Sequence, residues 1–307
     1  GKFYTWKYEE LKNILENDLD LLKKKYEISE SGNFEGLNIL VEKNNHKLTA
    51  DEYDKIKKIE EKLKNSRDKR IKPFFDDKTQ TDLNSYWIYS ILHSSFILND
   101  KKLFDQANEY FNNLKKILSK NVFHCYNKDR KEIDVFLEDY SYFCLLLVSM
   151  YEIKNDKESI KLCSELMKYT WENFYDEENV ILQKNIKTNN DLFVKPIDII
   201  DNNIPNGNSI FLLVCNKLFN ITGDTFWEEK IINLKKSFHS FLNNSFSQMF
   251  SYIKIIDICE QNLTITFHGN NEKLKQIKEI LVKDYFETAT FIYKNNEKES
   301  FVIVCKN

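Results

Sequence analysis

Three stretches of the chain are apolar on nearly every side of a helix, and each is followed by a stretch that is apolar on one side only. Leu83 to Leu98 (LNSYWIYSILHSSFIL), Tyr140 to Ile153 (YSYFCLLLVSMYEI) and Ile210 to Ile221 (IFLLVCNKLFNI) are of the first kind. After the first, Leu103, Ala107, Tyr110, Phe111, Leu114, Ile117 and Leu118 fall on one helical stripe. Ile160, Cys163, Leu166, Met167 and Trp171 do so after the second, and Phe226, Trp227, Ile231, Leu234, Phe238 and Phe241 after the third. The pattern predicts six helices at roughly 80–98, 101–118, 138–154, 157–174, 207–221 and 224–243. Asn99-Asp100, Asn155-Asp156 and Gly223-Asp224 stand between the members of each pair. An Asp at that place can accept the free N–H groups that open the second helix.

A helix that is apolar all round must be covered on all sides. Inner helices ringed by half-exposed outer ones meet that need, so the expected fold is mainly α, an α/α toroid. The repeat is 56 residues from Asp100 to Asp156 and 68 from Asp156 to Asp224, longer than common solenoid units, and leaves long loops before each inner helix. Residues 71–258 are expected to hold these hairpins. Residues 1–70 read as polar helices with a Gly-containing loop and one short strand between them. Residues 259–307 change period: NLTITF, TATFIY and FVIVC are β-like around a helical EKLKQIKEILVKDYF, a small β-α-β-β element.

The chain has only six glycines and three prolines, and Pro205 and Gly207 fall together before the third inner helix. A sharp turn is expected there, with Asn208 or Ser209 capping the helix. Net charge is −3 with a pI near 6.1, which argues against a nucleic-acid partner. Lysine and glutamate alternate, as on solvated helix faces. No apolar run is long enough to span a membrane, and a cytoplasmic location is expected. Cys125, Cys144, Cys163, Cys215, Cys259 and Cys305 include no Cys-x-x-Cys pair and read as reduced thiols, mostly in the core. His46, His93, His124, His239 and His268 show no metal-ligand spacing. No cofactor or metal is expected.

Five stretches, in order, resemble one family. They are GKFYTW with Glu9-Glu10-Leu11, SGNFEGLNIL (Ser31 to Leu40), SRDKRIKPFFDDKTQTDLN (Ser66 to Asn84), FLEDYSY (Phe136 to Tyr142) and VKPIDIIDNNIPNGNS (Val194 to Ser209). They resemble the helical part of the spermatogenesis-associated thioredoxin-domain proteins, the YyaL type in bacteria. The pattern departs at Leu83, Ser85, Lys195 and Asn206, where the family has Trp, Gly, Arg and Ser. The resemblance implies a fold related to six-hairpin glycosidases and N-acylglucosamine 2-epimerases. It also implies a thioredoxin-like domain and the first helical hairpins ahead of this stretch, so that three hairpins make an incomplete toroid with an apolar docking surface.

Each loop before an inner helix carries polar groups suited to sugar hydroxyls, which need paired donors and acceptors. Asp77 and Asp139 are the expected catalytic pair, acting as acid and base on a glycosidic bond. Asp76, Lys78, Asn84, Glu138, Tyr140, Lys195, Asn206, Asn208 and Ser209 are the expected ligand-binding groups. Equally, Asp77 and Asp139 could cap helices and pair with Lys78, Arg70 or Lys195. Among the histidines, His93 and His124 alone could reach such a mouth, though core or surface roles suit both. The expected function is therefore a carbohydrate-binding or carbohydrate-modifying toroid, glycosidase-like or epimerase-like if an enzyme. The alternative is a scaffold serving the thioredoxin-like domain.

Overall fold

A computed structural model describes residues 1–127, 135–187, 196–269, 272–294 and 299–306. The chain divides into two compact units, Gly1–Asp77 and Lys78–Asn307.

The first unit holds α1 (Tyr8–Leu15), α2 (Leu19–Lys25), β1 (Tyr26–Glu27), β2 (Val41–Glu42) and α3 (Ala50–Arg67). Trp6, Leu11, Leu15, Leu19, Leu22, Ile59 and Leu63 form its core. Residues from its amino-terminal motifs meet around one backbone pairing. Trp6 and Asn38 exchange N–H···O bonds of 2.9 and 2.7 Å. The Arg70 guanidinium lies 4.0 Å from the Trp6 ring centre and donates to the carbonyls of Phe3 and Thr5 and to Glu10. Gly32 sits at φ 78°, where an added Cβ would lie 2.5 Å from the Leu37 nitrogen. The loop closes only on glycine there.

The second unit contains β3 (Thr79–Gln80), α4 (Thr81–Leu98), α5 (Lys101–Leu118), β4 (Cys125–Tyr126), α6 (Leu137–Lys154) and α7 (Lys157–Phe174). There follow β5 (Tyr175–Asp176), β6 (Ile181–Leu182), α8 (Gly207–Thr222), α9 (Thr225–Ser245) and α10 (Phe250–Gln261). The chain closes with β7 (Leu263–His268), α11 (Glu272–Tyr285), β8 (Ala289–Lys294) and β9 (Phe301–Lys306).

The six expected helices are α4 to α9. Inner helices α4, α6 and α8 pack side by side in chain order, each with its outer partner α5, α7 or α9. The architecture is thus mainly α, an arc of α/α hairpins. Asn99, Asn155 and Gly223 take the left-handed conformation that ends each inner helix. Asp100, Asp156 and Asp224 then cap the outer helices, accepting backbone N–H groups at 2.8 to 3.2 Å. Every residue of α6 from Asp139 to Ile153 is buried, whereas α5 buries only the stripe Ala107, Phe111, Leu114 and Leu118. Inner helix α4 is less completely covered, with Leu83, Trp87, Ile97 and Leu98 exposed. Cys125, Cys144, Cys163, Cys215 and Cys259 are buried free thiols and Cys305 is exposed.

Helix α10 is absent from the sequence reading. It packs beside α8 through Tyr252, Ile255, Ile258 and Cys259. At the chain's end, β7 and β8 pair in parallel across α11, and β9 pairs antiparallel with the other edge of β7. This sheet packs on the carboxyl-terminal half of α6 and α8, and α11 packs on α4. Lys217 of α8 donates to both oxygens of Glu152 on α6 (2.8 and 3.0 Å) and to the Ala289 carbonyl (2.9 Å). Glu152 accepts the Phe291 N–H at 3.1 Å, and its carbonyl accepts the Tyr293 hydroxyl. The C-terminal element therefore belongs to the same compact unit as the hairpins.

Candidate functional site

The amino-terminal ends of α4, α6 and α8 converge, because every hairpin returns the chain to the same end. Short strands complete the convergence. Pairing of β3 with β4 sets His124 beside the start of α4, where the Thr81 N–H donates to the His124 carbonyl at 2.8 Å and the Thr81 hydroxyl to the Phe123 carbonyl at 2.6 Å. Past the β5–β6 hairpin, the Lys184 carbonyl accepts the Leu137 N–H at 2.9 Å. That bond brings Lys184 to the start of α6.

The result is a cavity of about 250 Å³ lined by Asp82, His124, Phe136, Glu138, Lys184, Asp198 and Asn206, together with Ile200, Asn202, Ile204 and Pro205. Lys184 pairs with Asp198 at 2.8 Å. Glu138 is the unusual member. Its Oε2 is buried without a hydrogen-bond partner among the described residues. Burial pushes its carboxyl up to about 7, against the opposing charge of Lys184 and with help from Asp198 and Asp139. Gly207, the first residue of α8, makes room for it, since a Cβ there would lie 3.0 Å from Glu138 Oε1. A larger trough of about 500 Å³ runs between α9 and α10, lined by Lys235, Lys236, His239, Tyr252 and Glu260 beside Leu242, Ile253 and Ile256.

Asp139 is fully buried and caps α6. Its Oδ2 accepts the Phe136 N–H at 2.8 Å and its Oδ1 the Asp82 N–H at 3.2 Å. His124 Nδ1 lies 3.1 Å from Oδ1, and Nε2 lies 3.2 Å from the Gln80 side-chain nitrogen. These contacts suit an Nδ1–H donor to the carboxylate and an Nε2 acceptor. Burial raises the Asp139 carboxyl, opposed by His124 and the Phe136 N–H. Asp82, His124 and Asp139 each offer an atom within 4.8 Å of the others, a spacing that could hold a metal ion. The Asp139 oxygens are already occupied by backbone donors and His124, so the cluster is accounted for as a helix cap that orients an imidazole.

Of the residues singled out from the sequence, Glu138 and Asn206 line the cavity. Asn206, rather than Asn208 or Ser209, caps α8, accepting the Ser209 N–H at 2.9 Å. Asn208, the second residue of α8, spans outwards: its amide bonds the Leu182 N–H (3.1 Å) and the carbonyls of Leu182 (2.9 Å) and Asp198 (3.1 Å). It thereby positions Asp198 without lining the cavity. We expect Asn208→Leu to cost about 3 kcal/mol in urea unfolding, because it strands those buried backbone groups. Unchanged stability would mean they find other partners.

Ser209 is buried with its Oγ unpartnered among the described residues. Tyr140 packs against Tyr169 and Phe174, away from the cavity lining. Asn84 turns back to the Gln80 carbonyl at 2.8 Å. Lys78 is exposed at the start of the second unit, and Asp76 and Asp77 are exposed at the end of the first. Lys195 lies outside the described residues. His93 stacks on Phe286 and lies 3.4 Å from Glu287, about three turns along α4 from Asp82, and does not line this cavity. Asp82, Lys184 and Asp198 were not anticipated: each is a lone charge in a polar loop or helix start, and no spacing marks it.

No family model matches the chain. The chain is 23% identical over 265 residues to an uncharacterized protein of Caenorhabditis elegans, B0495.5; the match covers 75% of this chain and 36% of that relative's length. Among solved structures it is similar to a GH76 α-mannanase of Bacteroides thetaiotaomicron, with TM-score 0.48, 11% identity, 75% of this chain and 66% of that chain. It is also similar to the cellobiose 2-epimerase of Bacillus thermoamylovorans, with TM-score 0.44, 13% identity, 55% of this chain and 45% of that one. A third is an inactive α-1,6-mannanase variant of Salegentibacter in complex with α-1,6-mannotriose, with TM-score 0.42, 13% identity, 62% of this chain and 54% of that one.

Proposed function

We propose that the cavity at the amino-terminal ends of α4, α6 and α8 binds a carbohydrate and that Glu138 is its acid. The observation that carries this reading is the Glu138 carboxyl. It is half-buried, pushed up to about 7, and its Oε2 is left without a partner among the described residues at a cavity that Asp82, His124, Lys184, Asp198, Asn202 and Asn206 also line. A carboxyl that stays protonated near neutral pH can donate a proton to a glycosidic or ring oxygen. Asp82 and the Lys184–Asp198 pair supply acceptors and a donor for hydroxyl groups, and His124, held between Asp139 and the Gln80 amide, lines the cavity beside them. The motif resemblance to the YyaL-type proteins supports the same reading and would place the site in a longer toroid that accompanies a thioredoxin-like domain. Asp77 belongs to the proposal only through that resemblance.

The test is glycan binding. An array of neutral mono- and oligosaccharides is probed with the wild type, Asp82→Asn and His124→Gln. Retention of a defined sugar by the wild type, with at least tenfold weaker retention by both variants, is expected. No retained sugar, or equal retention by all three proteins, would sink the proposal.

A further inference from the structure

A second cavity lies at the opposite end of α6, about 27 Å along the helix from the first. Its volume is about 370 Å³, and it is lined by Lys154, Asn155, Phe267, Gly269, Leu274, Lys275, Lys278, Tyr293 and Lys294. It opens at the carboxyl ends of the parallel strands β7 and β8 and runs along the first turns of α11. Four of the lining residues are lysines, and no carboxylate lines it among the described residues.

Three of the four lysines have no carboxylate partner among the described residues. Lys275 pairs with Glu272 at 3.0 Å on the exposed side of α11. Lys154 donates to the neutral Asn108 side chain at 2.7 Å. Among the described residues, Lys278 and Lys294 have no carboxylate partner. Lys278 is the informative one. It is half-buried, with its ammonium 4.6 Å from the centre of the Tyr293 ring. Burial pushes it down to about 8, and the exposed Glu279 offsets only part of that. A cation withdrawn from water without a counter-charge is unfavourable until an anion joins it. A second, independent mark is Asn155, whose Oδ1 is buried without a partner among the described residues at the same cavity.

We propose that this cavity binds a phosphate monoester, with the ammonium groups of Lys278, Lys294 and Lys154 around the phosphate oxygens and Asn155 Oδ1 accepting a hydroxyl of the ligand. The doubly charged phosphate suits several converging ammonium groups better than a single carboxylate does. The cavity is larger than inorganic phosphate requires, which leaves room for a small organic body against Phe267, Leu274 and Tyr293. Gly269 holds the rim: at φ 82° its N–H bonds the Lys294 carbonyl at 3.1 Å, tying the ends of the two strands together. The inference is independent of the sugar reading for the first cavity.

Isothermal titration with inorganic phosphate and with phenyl phosphate, at low ionic strength, tests it. Saturable binding at one site is expected, with phenyl phosphate the tighter of the two. Lys278→Met should weaken both at least tenfold while melting at the same temperature or higher, since it removes a poorly solvated charge. Lys294→Met should weaken them less. Lys120→Met, an exposed lysine outside the cavity, should bind as the wild type. Absence of uptake by the wild type, or equal affinity in Lys278→Met, would overturn the proposal.

Discussion

Glu138→Gln is expected to stabilise the chain at pH 8 and to leave it nearly unchanged at pH 4. The Glu138 carboxyl titrates near 7 in the folded chain, against 4.5 for a free glutamate. Between those values the folded state holds a proton that the unfolded state has released. The contribution is therefore fully present below about 4.5 and is lost as pH rises through about 7. At about 1.4 kcal/mol per unit, the ionised form at pH 8 costs on the order of 3 kcal/mol. Glutamine keeps the shape and never ionises, so it should recover about 2 kcal/mol of this at pH 8. Urea unfolding of both proteins at pH 4 and pH 8 measures the difference. A change of equal size at both values would show that the carboxyl does not titrate as its burial demands.

Lys217→Leu is expected to be the most destabilising single change in the second unit, by about 3–5 kcal/mol. It leaves Glu152, 1% exposed, without its counter-charge, and strands the Ala289 carbonyl. The double variant Glu152→Leu, Lys217→Leu should recover part of the loss, because neither charge then needs solvation. The Phe291 N–H would still lack its acceptor, so recovery stays incomplete. Urea unfolding of the two single variants and the double variant closes the cycle. A double variant that loses the sum of the two single losses would show that the pair is not coupled. The same network joins α6 and α8 to β8, so its loss should loosen the C-terminal sheet first. Earlier amide exchange in β7 and β8 than in α6 would report that.

The hairpin helices were legible because burial leaves a periodic trace. Helix α5 was expected at 101–118 and spans Lys101–Leu118, and α7 was expected at 157–174 and spans Lys157–Phe174. The boundaries are sharp because Asn99-Asp100 and Asn155-Asp156 each join a left-handed residue to a side-chain cap, a local chemistry that depends on nothing distant. Helix α10 escaped because FSYIKIIDICEQ is short and runs straight into the strand at Leu263, so its apolar positions merged with a β-like run. The strands β7, β8 and β9 were legible as strands. Their order, with β7 in the centre and parallel to β8, was not, since residues on either side of α11 pair only after that helix has crossed.

By itself the sequence determined an arc of helical hairpins, the caps that separate their members, and the end at which the inner helices begin. It also marked Glu138 and Asn206, because equivalent places in a repeat must gather at one end. Only the tertiary structure decided what those places do. Asp139, next to Glu138 in the chain, projects about 100° round the helix from it and spends its oxygens on Phe136, Asp82 and His124. Asp82, His124, Lys184 and Asp198 reach the cavity from four separate stretches, held there by backbone bonds at Thr81 and Leu137 and by the Asn208 amide. Helix periodicity is a property of neighbours in sequence and can be read along the chain. Convergence of single charged residues is a property of how helices pack, and it leaves no trace in spacing.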